Sequence, residues 1–232
     1  MVNMIKTTIN GEFEIILPEH RARRPEWDIK NGGWEKARLD SMRKHLTDQD
    51  TMFYVGAEEG DFAGLIASWG VKIALFEPND KVWPNIKAIW EANSLPNPLF
   101  CFSGFASEST VNYHGGLFAG FPPSADGEVI GDHGFKELSD PGEIPQMRID
   151  DTGIIPTAIS LDVEGSEWQV LKGAEKTLAL YHPKLWVSIH PEFLANYYKQ
   201  HSGDLRGWIK NLGYKETLLD YQHEMHFFYE AI

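Results

Sequence analysis

Residues 51–80, TMFYVGAEEGDFAGLIASWGVKIALFEPND, place two short apolar runs on either side of one helical period. TMFYV runs into glycines, which reads as a strand ending in a turn. In DFAGLIASWG, Phe62, Leu65, Ile66 and Trp69 share one helical face, and Gly70 stands where a helix is capped. VKIALFEPND is then a buried strand that ends in an acid, Glu77. Strand, helix, strand in this order is the unit from which parallel sheets are built, and its crossover is right-handed.

The flanking chain repeats the unit. PNIKAIWEANS is a helix with Pro84 in its first turn, and PLFCFSGFAS (98–107) is a third strand. TAISLDV and KLWVSIH are a fourth and a fifth, with a helix starting after Ser166 between them. Ser166 and Gln169 form an S-x-x-Q capping box, and Trp168, Leu171, Ala174 and Leu178 make that helix's buried stripe. SGDLRGWIKNLGY is a last helix, and KETLLDY with HEMHFFYEAI closes the chain as a hairpin. The expected fold is α/β and Rossmann-like: a mostly parallel seven-stranded sheet with a C-terminal antiparallel hairpin and helices on both faces.

Residues 1–50 read as an extension. IKTTINGEFEIIL (5–17) alternates around Asn10-Gly11, the signal of a two-residue hairpin, and WEKARLDSMRKHL (34–46) is a helix. Such a hairpin suits covering a sheet edge or pairing with a second copy of the chain. Arg21-Ala-Arg-Arg24 lies beside Glu19 and Glu26 and reads as a solvated face. Residues 51–232 form the main domain. Its segment from about 108 to 156 is rich in Gly, Pro and His, has little helical period, and is too long for an ordinary connection.

A net charge of −13 argues against nucleic acid and anionic membrane as partners, since both select basic surfaces. With 42% hydrophobic residues the chain can fill a core. Its one cysteine, Cys101, excludes an internal disulfide and reads as inert core. The start carries no signal-peptide pattern and no apolar run reaches membrane-spanning length, so the expectation is a soluble, cytoplasmic protein.

Gly56 and Gly60 fall where the first sheet strand meets its helix. Their Gly-x-x-x-Gly spacing is not the Gly-x-Gly-x-x-Gly that seats a pyrophosphate. Glu58 and Glu59 inside the turn would repel phosphate and suit an amino group or a cationic centre. Glu77, at the tip of the next strand, can accept both hydroxyls of a ribose. A nucleoside without pyrophosphate, such as S-adenosylmethionine, satisfies both features; a plain turn with a helix-terminal charge is the simpler alternative.

Two blocks, FYVGAEEGDFAGLIASWGVKIALFEPND (53–80) and AISLDVEGSEWQVLKGAEKTLALYHPKLWVSIHPE (158–192), resemble the FkbM family of S-adenosylmethionine-dependent methyltransferases. The second is the more specific, through Asp-Val-Glu-Gly and Leu-Lys-Gly-Ala. The resemblance implies a cofactor pocket lined by Gly56, Ala57, Glu58, Gly60, Glu77 and Pro78, with Phe105 and Ala106 flanking the adenine. Two positions depart from the pattern: Tyr54 stands where an aspartate is common in the first strand, and Glu58 replaces a common asparagine.

Asp162 and Glu164 then stand at the carboxyl end of strand four, where open α/β sheets bind ligands. Carboxylates at an apolar junction need partners. The reading assigns Asp162 as base or acceptor-orienting group, His190 opposite it, and Glu164 to acceptor hydroxyls or to the turn. Bonds to turn N–H groups, with His190 at a sheet edge, are the bland alternative. His114 and His133 are candidates for the acceptor pocket. No metal is expected; a divalent ion held by Asp162, His190, Glu192 and Asp150-Asp151 is the competing use. The expected activity is O-methylation of a sugar, glycan or small metabolite, against a catalytically silent methyltransferase-like binding module.

Overall fold

The structure, a computed structural model, describes residues 3–129, 131, 144–221 and 224–232. The chain opens with the expected hairpin, β1 (Met4–Ile9) and β2 (Phe13–Pro18). Ile9 pairs with Phe13, so the loop has three residues rather than two. Asn10 and Gly11 both take positive φ (55° and 72°), and Glu12 is the extra residue that completes the reversal. A short helix α1 (Glu19–Ala22) and the longer α2 (Lys36–His45) follow.

The main domain alternates as expected through β3 (Thr51–Val55), α3 (Asp61–Ser68), β4 (Lys72–Phe76), α4 (Trp83–Ala92) and β5 (Cys101–Phe102). Next come three two-residue strands, β6 (Phe105–Ala106), β7 (Leu117–Phe118) and β8 (Gln146–Met147). After β9 (Ala158–Leu161) lie α5 (Glu167–Lys172), α6 (Glu175–Tyr181), β10 (Lys184–Ile189), α7 (Pro191–Tyr198) and α8 (Ser202–Asn211). β11 (Tyr214–Tyr221) and β12 (Met225–Ala231) end the chain.

The central sheet runs β11-β12-β10-β9-β3-β4-β5-β7. Strands β10, β9, β3, β4 and β5 are mutually parallel; β12 is antiparallel to β10, and β11 to β12. The sheet thus has eight strands, not seven, because β7 adds an antiparallel edge from within the segment read as irregular. The expected strand at 98–107 breaks in two. Its second half, β6, leaves the central sheet and pairs in parallel with β8.

The single helix expected after Ser166 also breaks, at Gly173. A Cβ there would lie 1.9 Å from the Ser107 carbonyl, so the backbones touch and the helix restarts at Glu175. Helix α7, not anticipated, begins at Pro191 immediately after His190, with proline's fixed φ suited to a first turn.

Strand alternation sorts the core onto the two sheet faces. Met52 and Tyr54 join Trp83, Trp90 and Trp186 on one side; Phe53 and Val55 join Phe76, Phe100 and Phe102 on the other. Phe100 meets Phe53 and Phe76 edge to face at 5.5 and 5.4 Å between centroids, and Phe53 and Phe76 lie tilted to each other at 5.6 Å. Each ring contributes about 1.5–3 kcal/mol of burial. The hairpin does not extend the central sheet: Ile9, Phe13, Ile15 and Leu17 pack into the first core beside α3 and α4. Asn93 closes the hairpin's edge, its side chain accepting from Ile16 N (2.9 Å) and donating to Ile16 O (2.7 Å).

Candidate functional site

Because β3, β4 and β9 are adjacent and parallel, their C-terminal tips share one end of the sheet. Asp162 N donates to Val55 O (3.0 Å), and Gly56 N donates to Phe76 O (2.9 Å). Gly56 has φ +81°, and a Cβ there would sit 1.9 Å from the Asp162 carbonyl oxygen. Glycine is therefore required where the β3 and β9 tips cross. Ala57 is buried, Glu58 takes a left-handed conformation (φ 48°), and Gly60 (φ 88°) starts α3.

Glu77, at the β4 tip, is buried and ties the two turns together. Its Oε2 accepts from Glu58 N (2.8 Å) and its Oε1 from Asn79 N (2.9 Å). Burial pushes its carboxyl up to about 7, although both N–H groups pull it back. Pro78 beside it is half-buried, as is Phe105 on β6; Ala106 is buried.

The acids of the turn divide. Glu58 is exposed, while Glu59 turns inward to His20 (2.7 Å) and Asn85 (2.5 Å) and away from any ligand at the tips. Arg21 corrects the reading of its segment as solvated. It is buried, donates to Asp61 (2.5 Å), and reaches Glu59 (3.3 Å) and Glu58 (3.4 Å). Of its neighbours, Arg23 is exposed and Arg24 lies over the Trp27 and Trp34 rings at 5.3 Å.

Asp162, Glu164 and His190 come together at the β9 and β10 tips. His190 Nε2 lies 3.6 Å from Asp162 Oδ1, 3.4 Å from Glu164 Oε2, and in closer contact with Glu224 Oε2. Its Nδ1 donates to Glu167 Oε1 at 2.7 Å. Asp162 Oδ2 accepts from Arg38 (3.1 Å), a fully buried guanidinium from α2 that also holds Ser160 Oγ (2.8 Å) and pairs with Glu35. Burial raises Asp162 to about 8, against the opposing pull of Arg38. Burial alone would lower His190, but its bonds to Glu167 and Glu224 and the charge of Asp162 push it up to about 11. Glu224 is held well below the usual carboxylate range: His190 and His226 outweigh its desolvation. The capping box does not form, since Ser166 Oγ shares its hydrogen bond with Tyr198 OH (2.9 Å) and Glu167 takes Gly165 N (3.0 Å).

A family model described as the Methyltransferase FkbM domain matches residues 55–216. The chain belongs to this family. A comparison with curated proteins returned no significant match. Among solved structures, the FkbM methyltransferase of Methylobacillus flagellatus KT aligns with 22% identity and a TM-score of 0.54, over 80% of this chain and 44% of that one. The present chain therefore spans less than half the length of that relative. An rRNA methylase from Streptococcus thermophilus aligns at 11% identity and TM-score 0.52, covering 84% of this chain and 94% of its own. Ribosomal protein L11 methylase from Lactobacillus delbrueckii subsp. bulgaricus aligns at 7% and 0.52, over 85% and 77%. These likenesses establish the class I methyltransferase fold.

The FkbM fold takes S-adenosylmethionine as methyl donor, and the residues at the β3 and β4 tips suit it. A buried carboxylate with lone pairs remaining fits a ribose diol, and the exposed Glu58 fits the positive end of the methionine moiety. Tyr54 does not take part: it is buried on the sheet face, with Arg38 3.4 Å from its hydroxyl.

Of the alternative metal set, Asp162 and His190 meet at this FkbM site, whereas Asp150, Asp151 and Glu192 have other surroundings. Asp150 receives Thr177 N (2.8 Å), Lys176 N (3.1 Å) and Arg148 (3.0 Å) and so caps α6. Asp151 accepts from Thr110 Oγ1 (2.5 Å), and Glu192 is exposed at the start of α7. His114 is exposed and lines an open concavity of about 610 Å³ with Thr110, Asn112, Tyr113 and Gly115. His133 lies outside the described residues. Cys101 is buried, and desolvation raises its thiol, which fits inert core.

Sequence reasoning missed Arg38, Glu35, Glu167 and Glu224. A signal existed for two pairs. Glu35 and Arg38 sit on the same stripe as the buried Leu39 and Met42, so polar groups were facing the core. Glu224 and His226 share one face at the start of the last strand, in a period-two pattern with apolar neighbours.

Proposed function

We propose that this chain transfers a methyl group from S-adenosylmethionine to a hydroxyl oxygen of a sugar, glycan or other small metabolite. The observation that carries this reading is the placement of Asp162: its backbone touches the Gly56 turn, and its carboxylate faces the His190 cluster. The donor supplies an electrophilic methyl on a sulfonium. Glu77 holds the ribose hydroxyls, Gly56 lets the β3 turn pass close to β9, and Phe105 and Ala106 flank the adenine. Asp162 orients the acceptor hydroxyl and receives its proton, while Arg38 fixes the carboxylate's other oxygen. The protonated His190 donates from both nitrogens, to Glu167 and to Glu224, so it orders the surrounding carboxylates instead of removing protons. A hydroxyl acceptor is favoured by a site walled with carboxylates. An RNA acceptor is disfavoured by the net charge of −13.

Calorimetric titration with S-adenosylhomocysteine, followed by transfer of a labelled methyl group to a panel of hydroxyl acceptors, tests the proposal. Binding and transfer are expected; binding without transfer to any acceptor would favour a silent binding module instead. Glu77→Ala is expected to weaken S-adenosylhomocysteine by roughly a hundredfold, since two charge-assisted hydrogen bonds are lost. The wild-type affinity carries a pH signature. Glu77 accepts both hydroxyls only when ionised, and its carboxyl is raised to about 7, so protonation as pH falls competes with the ligand. Affinity should drop by about tenfold between pH 8 and pH 6, and Glu77→Gln should flatten that dependence. An equally steep profile in the glutamine variant would remove Glu77 from the ribose role.

A further inference from the structure

Asp162, His190 and Glu224 come from three different strand tips, yet each turns one potential ligand atom toward the others, all within 4.8 Å. We propose that these three side chains bind one divalent cation, of the manganese or zinc class, beside the β9 tip. Asp162 Oδ1 stands 3.6 Å from His190 Nε2, and Glu224 Oε2 lies closer. Donor atoms bonded to one ion at about 2.1 Å are separated by about 3–3.5 Å. The Asp162–His190 distance is close to the spacing an ion would impose, whereas His190 and Glu224 touch directly, a hydrogen bond that an ion would replace by moving the two atoms apart.

The outward atoms argue more strongly than the inward ones. Each of the three residues has its other polar atom anchored by a group outside the triad. His190 Nδ1 is held by the fully buried Glu167 (2.7 Å). Asp162 Oδ2 is held by Arg38 (3.1 Å). Glu224 Oε1 is held by His226 Nε2 (3.3 Å), whose Nδ1 is hydrogen-bonded to Ser188 Oγ (2.9 Å). A carboxylate on the far nitrogen of a ligating histidine is how metal sites fix the ring and its tautomer, with Nε2 left as the donor. Glu167 is fully buried; its Oε1 serves both His190 and Gly165 N, and among the described residues its Oε2 has no hydrogen-bond partner.

Charge points the same way. Glu35, Asp162, Glu164, Glu167 and Glu224 bring five carboxylates to the cluster, against Arg38 and two imidazoles. Among the described groups the carboxylates outnumber the cations, and a divalent ion would offset part of that charge. Proton and ion compete for the same nitrogen. Two carboxylates and one imidazole suit manganese or zinc better than an all-oxygen magnesium site. Glu164, half exposed at 3.4 Å from Nε2, is placed as a further ligand on the acceptor side.

The role of the ion, though not its binding, rests on the methyl-transfer reading. An acceptor hydroxyl on the ion loses its proton more readily. The proton passes to Asp162, the base of that reading, and then by way of Glu164 to solvent; the oxygen forms a bond to the methyl carbon, the carbon–sulfur bond breaks, and its electron pair stays on sulfur.

The test is a calorimetric titration of the chelator-stripped chain with manganese and, separately, zinc, in the absence of cofactor. Bound metal is counted by elemental analysis, and melting temperature is followed with and without the ion. One ion per chain is expected, with a raised melting temperature. Glu224→Gln and His190→Gln should weaken binding by more than about thirtyfold, and Glu167→Gln, acting only through His190, by about tenfold. Absence of binding by the wild-type chain up to about 1 mM of either ion would overturn the site, as would folded variants that bind as tightly as wild type. If a variant fails to fold, the wild-type titration alone decides. S-adenosylhomocysteine binding is measured independently. Ion binding without cofactor binding would keep this site and remove the transferase reading, whereas cofactor binding without ion binding would do the reverse.

Discussion

Asp162→Asn is expected to lower methyl transfer by about 10²–10⁴-fold while leaving S-adenosylhomocysteine affinity within about twofold. Asparagine preserves the volume and the backbone bond from residue 162 to Val55 O, so the β3–β9 crossing that shapes the cofactor turn is retained. What changes is the donor pattern. The carboxylate accepts from Arg38 on one oxygen and faces the His190 ring at 3.6 Å with the other. An amide must aim its NH₂ at one of these, both of which are donors, and it cannot take a proton from an acceptor hydroxyl. The loss should therefore fall on turnover rather than on cofactor binding. Single-turnover rates at saturating donor, together with a calorimetric titration of the variant, check this. Wild-type turnover in Asp162→Asn would take the residue out of the chemistry, and a large loss of cofactor affinity would make it a pocket residue instead.

The parts of this fold that were legible are those whose signals are local. The β3–α3–β4 unit declares itself through a buried run, a helical stripe and two glycines, and all three features lie within residues 51–80. The C-terminal hairpin was legible as well, since two runs rich in strand formers lie close together in sequence and pair antiparallel as β11 and β12. Strands β6, β7 and β8 have only two residues each, too few for any period; distant partners define them. The helix after Ser166 read as unbroken across Gly173 because nothing nearby in sequence discloses that Ser107 presses against that glycine. Arg21 read as solvated because its immediate neighbours are polar, whereas its true partners, Glu58, Glu59 and Asp61, arrive some forty positions later.

The site divides along the same line. Asp162, Glu164 and His190 stood out because charge at the end of an apolar strand is conspicuous in sequence. Their partners did not, since Arg38, Glu167 and Glu224 are drawn from α2, α5 and the start of the last hairpin strand. Sequence marks where unusual groups lie. Only the fold shows that six of them are mutually engaged.

Arg38 is where that engagement bears most on stability, and Arg38→Met is expected to destabilise the protein by about 3–5 kcal/mol. The guanidinium is 1% exposed and links Glu35, Asp162, Ser160 and Tyr54 across the face of β3 and β9. Methionine fills much of the volume but leaves two carboxylates without their shared cation. For a chain of this size the loss corresponds to a fall in melting temperature of roughly 10 °C. Because the penalty arises from stranded charge rather than from a cavity, removing that charge should recover part of it. The double variant Arg38→Met with Glu35→Gln is expected to be about 1–2 kcal/mol more stable than the sum of the two single effects. Additive losses would instead mean that Arg38 acts through packing of its stem. The same substitution should reduce methyl transfer without changing cofactor affinity, since Arg38 touches Asp162 and none of the residues at the Glu77 turn. That would make residues 1–50, read from sequence as an extension, part of the acceptor-side machinery through a single buried side chain.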